Sequence, residues 1–235
     1  MRSIYRISTW LHKWAGLILA IQILLWIAGG VVMSVIPLEK VHGKHVANKQ
    51  LPITTVKDDY QYPLDRLLTK LDGRIKKITY GQLLSTPIYT IETEEKQWVF
   101  DAQSGNQIQA LEQSIINELA LTHYIGDGEL RALEIVDAPA EASGIKSDVW
   151  RADFTDAINT SLYFEKDSGA LLRVRSDLWR VFDFFWMLHI MDYEEREDFN
   201  NPLLISFAIS SLLFTLTGFV LLFRTFKPKV RAFMR

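Results

Sequence analysis

Two histidines stand beside long apolar runs of this 235-residue sequence. His12 lies between Trp10 and Trp14 at the start of one run, and His189 lies within the apolar stretch FFWMLHIM. Imidazole is a usual axial ligand of haem iron, and surrounding apolar side chains keep water away from the macrocycle. The residue types therefore allow haem ligation by His12 and His189. A hydrogen-bonded structural role for each imidazole stays open as the alternative.

Other kinds of chemistry find little support in the sequence. The absence of cysteine excludes disulfides, thiolate metal sites, iron–sulfur clusters and c-type haem attachment. No Ser/His/Asp or paired-carboxylate arrangement follows from the spacing, and no glycine-rich phosphate loop follows a strand, so whether the chain is an enzyme stays open. His42 and His45 are three residues apart, but Gly43 between them indicates a turn rather than a metal-binding helix face.

Two uncharged runs must position the two histidines. Residues 14–36 form a run of 23 residues with Gln22 as its only strongly polar side chain, and residues 203–223 form a run of 21. At about 1.5 Å per residue, each helix is long enough to cross a hydrocarbon core of roughly 30 Å. The first run is longer than that of a signal peptide, and residues 36–39 offer no small-residue cleavage site. The sequence therefore predicts two membrane-spanning helices.

The charges of the two tails predict the orientation. Neither tail contains Asp or Glu. Their basic residues are Arg2, Arg6, Lys13, Arg224, Lys227, Lys229, Arg231 and Arg235. Both termini are therefore expected in the cytoplasm, with residues 39–201 on the other side. Eight of the 26 Lys and Arg lie in the tails, which leaves 18 against 28 acidic residues between the spans. This acidic external region argues against a nucleic-acid partner.

The region between the spans contains an internal repeat. Residues 97–105 resemble residues 161–169, because each is an alternating apolar strand followed by a polar turn that ends in Ser-Gly. The apolar positions that predict one amphipathic helix per copy are Leu64, Leu67, Leu68 and Leu71, then Ile115, Ile116, Leu119 and Ala120. The other expected strands cover residues 76–80, 87–93 and 107–110, then 131–136, 149–154 and 170–174. The pattern predicts two α+β units, each with one helix on a small antiparallel sheet.

A shorter apolar segment, residues 176–193, precedes the second span. It is too short to cross a membrane and is rich in Trp, Phe and Met. We therefore expect a helix that lies in, or is angled into, the outer interface, with His189 near its end. A polar linker then leads to Asn200-Asn201-Pro202, which is typical of a helix start.

Three motifs of the membrane segments resemble the PepSY-associated transmembrane family. They are Leu11-His12-Lys13-Trp14-Ala15-Gly16, the segment Trp186-Met187-Leu188-His189-Ile190-Met191-Asp192-Tyr193 and Leu216-Thr217-Gly218. The two α+β repeats are similar to PepSY domains. The resemblance implies a bacterial inner-membrane protein whose PepSY domains are periplasmic. Some members resemble ferric-siderophore reductases, which carry electrons on b-type haems held by such histidines, and soluble PepSY domains resemble propeptide modules that inhibit peptidases.

The sequence departs from the reductase pattern in its number of spans. Those proteins usually have about four, whereas this sequence has two. The topology also places His12 near the cytoplasmic face and His189 near the outer face, about 35 Å apart along the first span. That distance is too large for one haem. Either the helix around His189 dips deep into the membrane, or each histidine pairs with a second protomer or another membrane subunit.

The expected organisation has five parts. They are the N-terminus with the first span (1–37), two PepSY-like repeats (38–110 and 111–175), the interfacial helix with its linker (176–201), and the second span with its tail (202–235). The leading hypothesis is a component of a respiratory or ferric-iron/siderophore-reducing electron-transfer system that binds haem b. The alternative is a non-catalytic periplasmic subunit, anchored in the membrane, that docks on another protein or inhibits a peptidase.

Overall fold

A computed structural model describes residues 2–142, 144–145, 147–194 and 196–226. The chain divides into a helical unit, residues 1–37 with 181–235, and a mixed unit, residues 38–180. The α-helices in the described residues are α1 (Arg2–Val35), α2 (Leu38–Val41), α3 (Leu64–Leu68), α4 (Gln113–His123), α5 (Asp177–Ile190) and α6 (Pro202–Phe226). The strands are β1 (Ile75–Leu83), β2 (Thr86–Thr93), β3 (Gln97–Asp101), β4 (Gln107–Ile108), β5 (Leu130–Val136), β6 (Val149–Phe154), β7 (Ser161–Glu165) and β8 (Leu171–Arg175). The predicted α+β class is confirmed.

Two helices of the helical unit are long and apolar enough to cross a membrane. They are Tyr5–Val35 and Pro202–Phe223, with mean hydropathy of 2.3 and 2.1, and only 11% and 6% of their most apolar windows are buried. The core helix of a water-soluble protein is mostly buried, so such exposed apolar surfaces fit a lipid environment. Both helices lie where the sequence predicts spans. The orientation stays a prediction, and residues 227–235 of the basic tail lie outside the described residues.

Asn201 begins α6, as the sequence predicts. Its side-chain Oδ1 accepts a hydrogen bond from the main-chain N–H of Leu204 at 2.8 Å, which satisfies one of the unpaired donors of the first turn. Pro202 occupies the first helical position, where its missing N–H costs nothing. The Asn201 amide Nδ2 also donates to the main-chain oxygen of Ile190 at 2.9 Å. One residue therefore starts α6 and bonds the carboxyl end of α5.

The mixed unit contains two four-stranded antiparallel sheets with the same strand order. The sheet β1-β2-β3-β4 follows α3, and the sheet β5-β6-β7-β8 follows α4. Gly105 and Gly169 occupy corresponding turns with φ of 72° and 68°, a left-handed conformation that favours glycine. Phe100 packs in a cluster with Leu67 of α3, while Phe164 packs in a cluster with α4. Two similar helix-and-sheet units are therefore present.

The helices and sheets of the mixed unit stack in layers. One face of the first sheet packs on α3, and its other face shares a core with α4 and the second sheet. The first predicted helix is shorter than expected, because α3 ends at Leu68 and Leu71 lies in the turn that follows. Gly73 in that turn has a φ of 98°, which a helix cannot accommodate. Leu71 nevertheless packs against the α3 side of the sheet.

Candidate functional site

His12 lies on α1 and packs against α6. Its ring stacks on Phe214 with centroids 4.2 Å apart and an interplanar angle of 4°. Its Nδ1 lies 3.2 Å from the main-chain oxygen of Phe214 and 3.1 Å from Oγ1 of Thr217. The Thr217 hydroxyl itself donates to that same oxygen at 2.7 Å, so both oxygens can accept from His12. We therefore assign the proton to Nδ1, which leaves a lone pair on Nε2.

Gly218 makes the close approach of His12 possible. A Cβ at this position would lie 3.1 Å from Cε1 of the imidazole, closer than ordinary van der Waals contact. Gly16, one turn along α1, plays the same part for Phe214, because a Cβ there would lie 3.0 Å from the Phe214 ring. Two glycines thus let α1 and α6 come together around the stacked His12 and Phe214 rings.

His189 lies in the last turn of α5 and packs against Trp26 of α1. The two rings stack with centroids 4.7 Å apart and an interplanar angle of 18°. The Trp26 indole Nε1 donates to the main-chain oxygen of His189 at 2.9 Å, so this carbonyl at the helix end is satisfied. The Nδ1 of His189 is buried and has no hydrogen-bond partner among the described residues. A buried orphan nitrogen of this kind is costly unless a ligand or partner engages it.

The structure does not bring His12 and His189 together. Trp26 follows His12 by 14 positions in one helix, which corresponds to about 21 Å along the axis. The expected separation of about 35 Å is therefore wrong, because α5 enters alongside α1 instead of lying at its outer end. Trp26 is nine residues short of Val35, or about 13 Å below the end of α1. Even so, two nitrogens at these levels cannot ligate one iron.

Gly29 accounts for the depth that α5 reaches. A Cβ at Gly29 would meet Cδ1 and the main-chain oxygen of Phe185 at 3.6 Å, so α5 packs directly over this glycine. In the described part of the chain, nothing lies within 4 Å of the corresponding position at Gly30. Of these two adjacent glycines, Gly29 is therefore covered by α5, whereas Gly30 is open.

Either histidine could supply at most one axial ligand of a haem, and only His12 has the hydrogen-bonded second nitrogen that is usual for a metal-bound imidazole. His12 fits well, because its Nδ1 is held by α6 and its Nε2 keeps a lone pair, which is the arrangement of metal-bound imidazoles. His189 offers an unpaired buried Nδ1 beside the aromatic rings of Trp26 and Phe185. A haem with two histidine ligands would therefore need a second chain at either level.

Sequence reasoning missed Trp26 as the partner of His189. Tryptophan prefers the ends of a membrane helix, and Trp26 stands well inside the first apolar run. That departure from the interfacial preference is the signal that could have found it. Two further polar atoms of the span pair, Nε2 of Gln22 and Oγ of Ser211, are buried without a hydrogen-bond partner in the described part of the chain.

The other histidines belong to the mixed unit. His123 is buried, its Nδ1 lies 2.6 Å from the main-chain oxygen of Asn48, and burial lowers its pKa although this hydrogen bond raises it. His42 and His45 flank a turn in which Gly43 has a φ of 73°, as predicted. Within the described residues, no group of three or more His, Asp or Glu side chains is arranged to hold a metal ion.

Comparison with known proteins finds no match to a family model, a curated protein or a solved structure.

Proposed function

We propose that the chain is a PepSY-type inner-membrane component of a transmembrane electron-transfer system of the respiratory or ferric-iron/siderophore-reducing kind. The single observation that carries this proposal is the placement of His12 and His189 in the helical unit. Each imidazole is stacked on an aromatic ring of a neighbouring helix, and the two lie at levels about 21 Å apart along α1. Two levels of ligands suit a relay between the two faces of a membrane.

At each level, neighbouring residues orient the histidine and pack against it. At the first, Thr217 and the Phe214 carbonyl orient His12, and Gly218 leaves room for it. At the second, Trp26 fixes the end of α5 and covers one face of the His189 ring. Haem b, when bound, would supply one-electron transfer at potentials set by axial ligand and burial. The second ligand at each level would come from another copy of this chain or from another membrane subunit.

The mixed unit suits a docking role on one side of the membrane in the same proposal. Its two sheets are the PepSY-like repeats, and the periplasm is the compartment that the charge pattern of the tails favours. The redox partner would then approach this acidic region.

Haem content tests the proposed function. The full chain should be expressed with ample haem supply, purified in mild detergent and examined by absorption spectroscopy. We expect a Soret band, an α-band when the protein is chemically reduced, and about one bound haem for every two histidine ligands. Purified protein without a Soret band would remove the electron-transfer proposal.

A second candidate function, docking on a periplasmic protein, is favoured by the edge of the first sheet. β3 pairs with β4 only at Val99 and Phe100, so Gln97 and Trp98 have no neighbouring strand on that side among the described residues. The Trp98 indole Nε1 is also buried without a hydrogen-bond partner in this part of the chain. An extended segment of a partner could add here as a strand. This function expects the Gln97 amide, which faces the open side of β3, to be protected from hydrogen exchange in native membranes and unprotected in purified protein.

A further inference from the structure

Two buried polar groups lie within the pair of long apolar helices, α1 and α6. They are Nε2 of Gln22 and Oγ of Ser211, and neither has a hydrogen-bond partner among the described residues. Gln22 is also the only strongly polar side chain of the first apolar run. A lipid environment supplies no bulk water to such atoms, so each one is costly unless something inside the protein engages it.

The Ser211 hydroxyl differs from neighbouring hydroxyls of the same helix. The hydroxyl of Ser206 donates to the main-chain oxygen of Leu203 at 2.9 Å, and that of Thr215 donates to the main-chain oxygen of Ser211 at 2.9 Å. Such a bond to the preceding turn is a common way of satisfying a hydroxyl within a helix. The Ser211 hydroxyl makes no bond of this kind, so it is free to bind another group.

Gln22 and Ser211 lie on the faces along which α1 and α6 pack. Each is three or four positions from two apolar residues of its own helix, a spacing that places all of them on one helix face. These neighbours are Leu19 and Trp26 for Gln22, and Phe207 and Phe214 for Ser211. The four neighbours pack in one apolar cluster. The two polar side chains therefore share an apolar surrounding.

The two side chains also lie at nearly the same height along the helices. Two contacts define the register, Phe214 over Gly16 and Phe207 against Trp26 with ring centroids 5.9 Å apart. Ser211 stands between these contacts on α6, so interpolation places it opposite about position 20 of α1. That position is about 3 Å from Gln22 along the axis. One small molecule can therefore reach both polar groups.

We propose that Gln22 and Ser211 bind a water molecule between α1 and α6. Water both donates and accepts hydrogen bonds, so it can satisfy the Gln22 amide and the Ser211 hydroxyl together. Its small size suits polar atoms that are enclosed by packed side chains. The water site does not depend on haem binding, and it lies between the levels of His12 and His189.

Unfolding temperatures in a double-mutant cycle test the proposal. The variants of the full chain in detergent are Gln22→Met, Ser211→Ala and the two changes together, and methionine keeps the unbranched shape of glutamine. Each single change should lower the unfolding temperature by about 2–4 °C, because the remaining polar group and the water lose a partner. The double variant should return close to the wild type, since it removes both polar groups and releases the water.

Ser206→Ala is the matched control for the serine. Its hydroxyl is bonded within α6, so Ser206→Ala should add to Gln22→Met without any recovery. Single changes at Gln22 and Ser211 that raise the unfolding temperature would overturn the proposal, because removing unpaired polar groups from a dry interface is stabilising. Additive effects in the Ser211 cycle would overturn it as well, since the two groups would then share no water.

Hydroxyl-radical labelling reports on the water itself. Brief X-ray irradiation converts a bound water to radicals that oxidise the side chains beside it, even where bulk solvent is excluded. The buried Phe207 and Leu19 should be oxidised in the wild type and clearly less so in the double variant. Phe100, which is buried in the mixed unit, should stay unlabelled in both proteins. A wild-type protein without labelling at Phe207 and Leu19 would contradict the bound water.

Discussion

The Trp26 indole donates a hydrogen bond to the main-chain oxygen of His189 while its ring stacks on the imidazole of the same residue. This double contact holds the end of α5 against the middle of α1. It sets the depth of His189 and its distance from His12.

Replacing Trp26 by Phe should loosen the end of α5. The variant keeps an aromatic ring for stacking but removes the donor, so the His189 carbonyl loses its partner at a cost of about 1 kcal/mol. Thermal unfolding in detergent should show a lower unfolding temperature for Trp26→Phe than for the wild type. Trp14→Phe is the control, since Trp14 is 48% exposed on the same helix. Equal unfolding temperatures for the two variants would mean that the hydrogen bond contributes nothing.

Gly218→Val should displace His12 from α6. A Cβ at this position already lies 3.1 Å from the imidazole, and the added methyl groups force the ring away from Thr217 at a cost of about 1–3 kcal/mol. Gly30→Val is the matched control in the first span, because no atom of the described residues lies within 4 Å of its Cβ position. Thermal unfolding in detergent compares the stabilities of the two variants. An unchanged stability in Gly218→Val with a lowered stability in Gly30→Val would contradict the described packing.

Gly169→Ala should destabilise the mixed unit more than Gly73→Ala. Both glycines have a positive φ, which costs an alanine about 1–2 kcal/mol. Only at Gly169 does the new Cβ also meet core atoms, at 2.7 Å from Leu119 and 2.8 Å from Leu111, whereas Gly73 is open. Urea unfolding followed by circular dichroism measures the difference. Equal losses of stability in Gly169→Ala and Gly73→Ala would mean that the turn at Gly169 does not pack against the core.

The stability of the mixed unit should fall as the pH drops below about 6.5. Burial lowers the pKa of His123 in the folded state, so the unfolded chain binds the proton more readily and protonation favours unfolding. The contribution is complete above the unfolded pKa of 6.5 and is lost as the pH falls through the folded value. Unfolding between pH 8 and pH 5 should show a smaller slope in His123→Gln than in His45→Gln. An unchanged slope would show that His123 titrates alike in both states.

The parts of the fold that depend on local pattern could be predicted from the sequence. An uncharged run of 23 residues specifies a spanning helix by its length, and the alternation before Gly105 and Gly169 specifies a strand and a turn. Asn201 and Pro202 likewise indicate a helix start from their own chemistry. These predictions needed no information about distant contacts.

The geometry of the candidate site depends on contacts that no local pattern encodes. His12 meets Thr217 across 205 positions, and His189 meets Trp26 across 163. The length and composition of residues 176–193 predict an interfacial helix, but the depth that α5 reaches depends on the fit of Phe185 over Gly29. The sequence therefore predicted a role for both histidines and left open how deep the helix around His189 reaches.

The reduced-minus-oxidised difference spectrum of histidine variants tests whether His12 and His189 hold haem at two separate levels. We expect His189→Ala to lose part of the α-band absorption of the purified protein and His12→Ala to lose another part independently, because the two side chains serve separate levels. His45→Ala, a change at an exposed turn of the mixed unit, should keep the whole spectrum. Identical spectra for all three variants and the wild type would contradict the account and leave both histidines with a structural role.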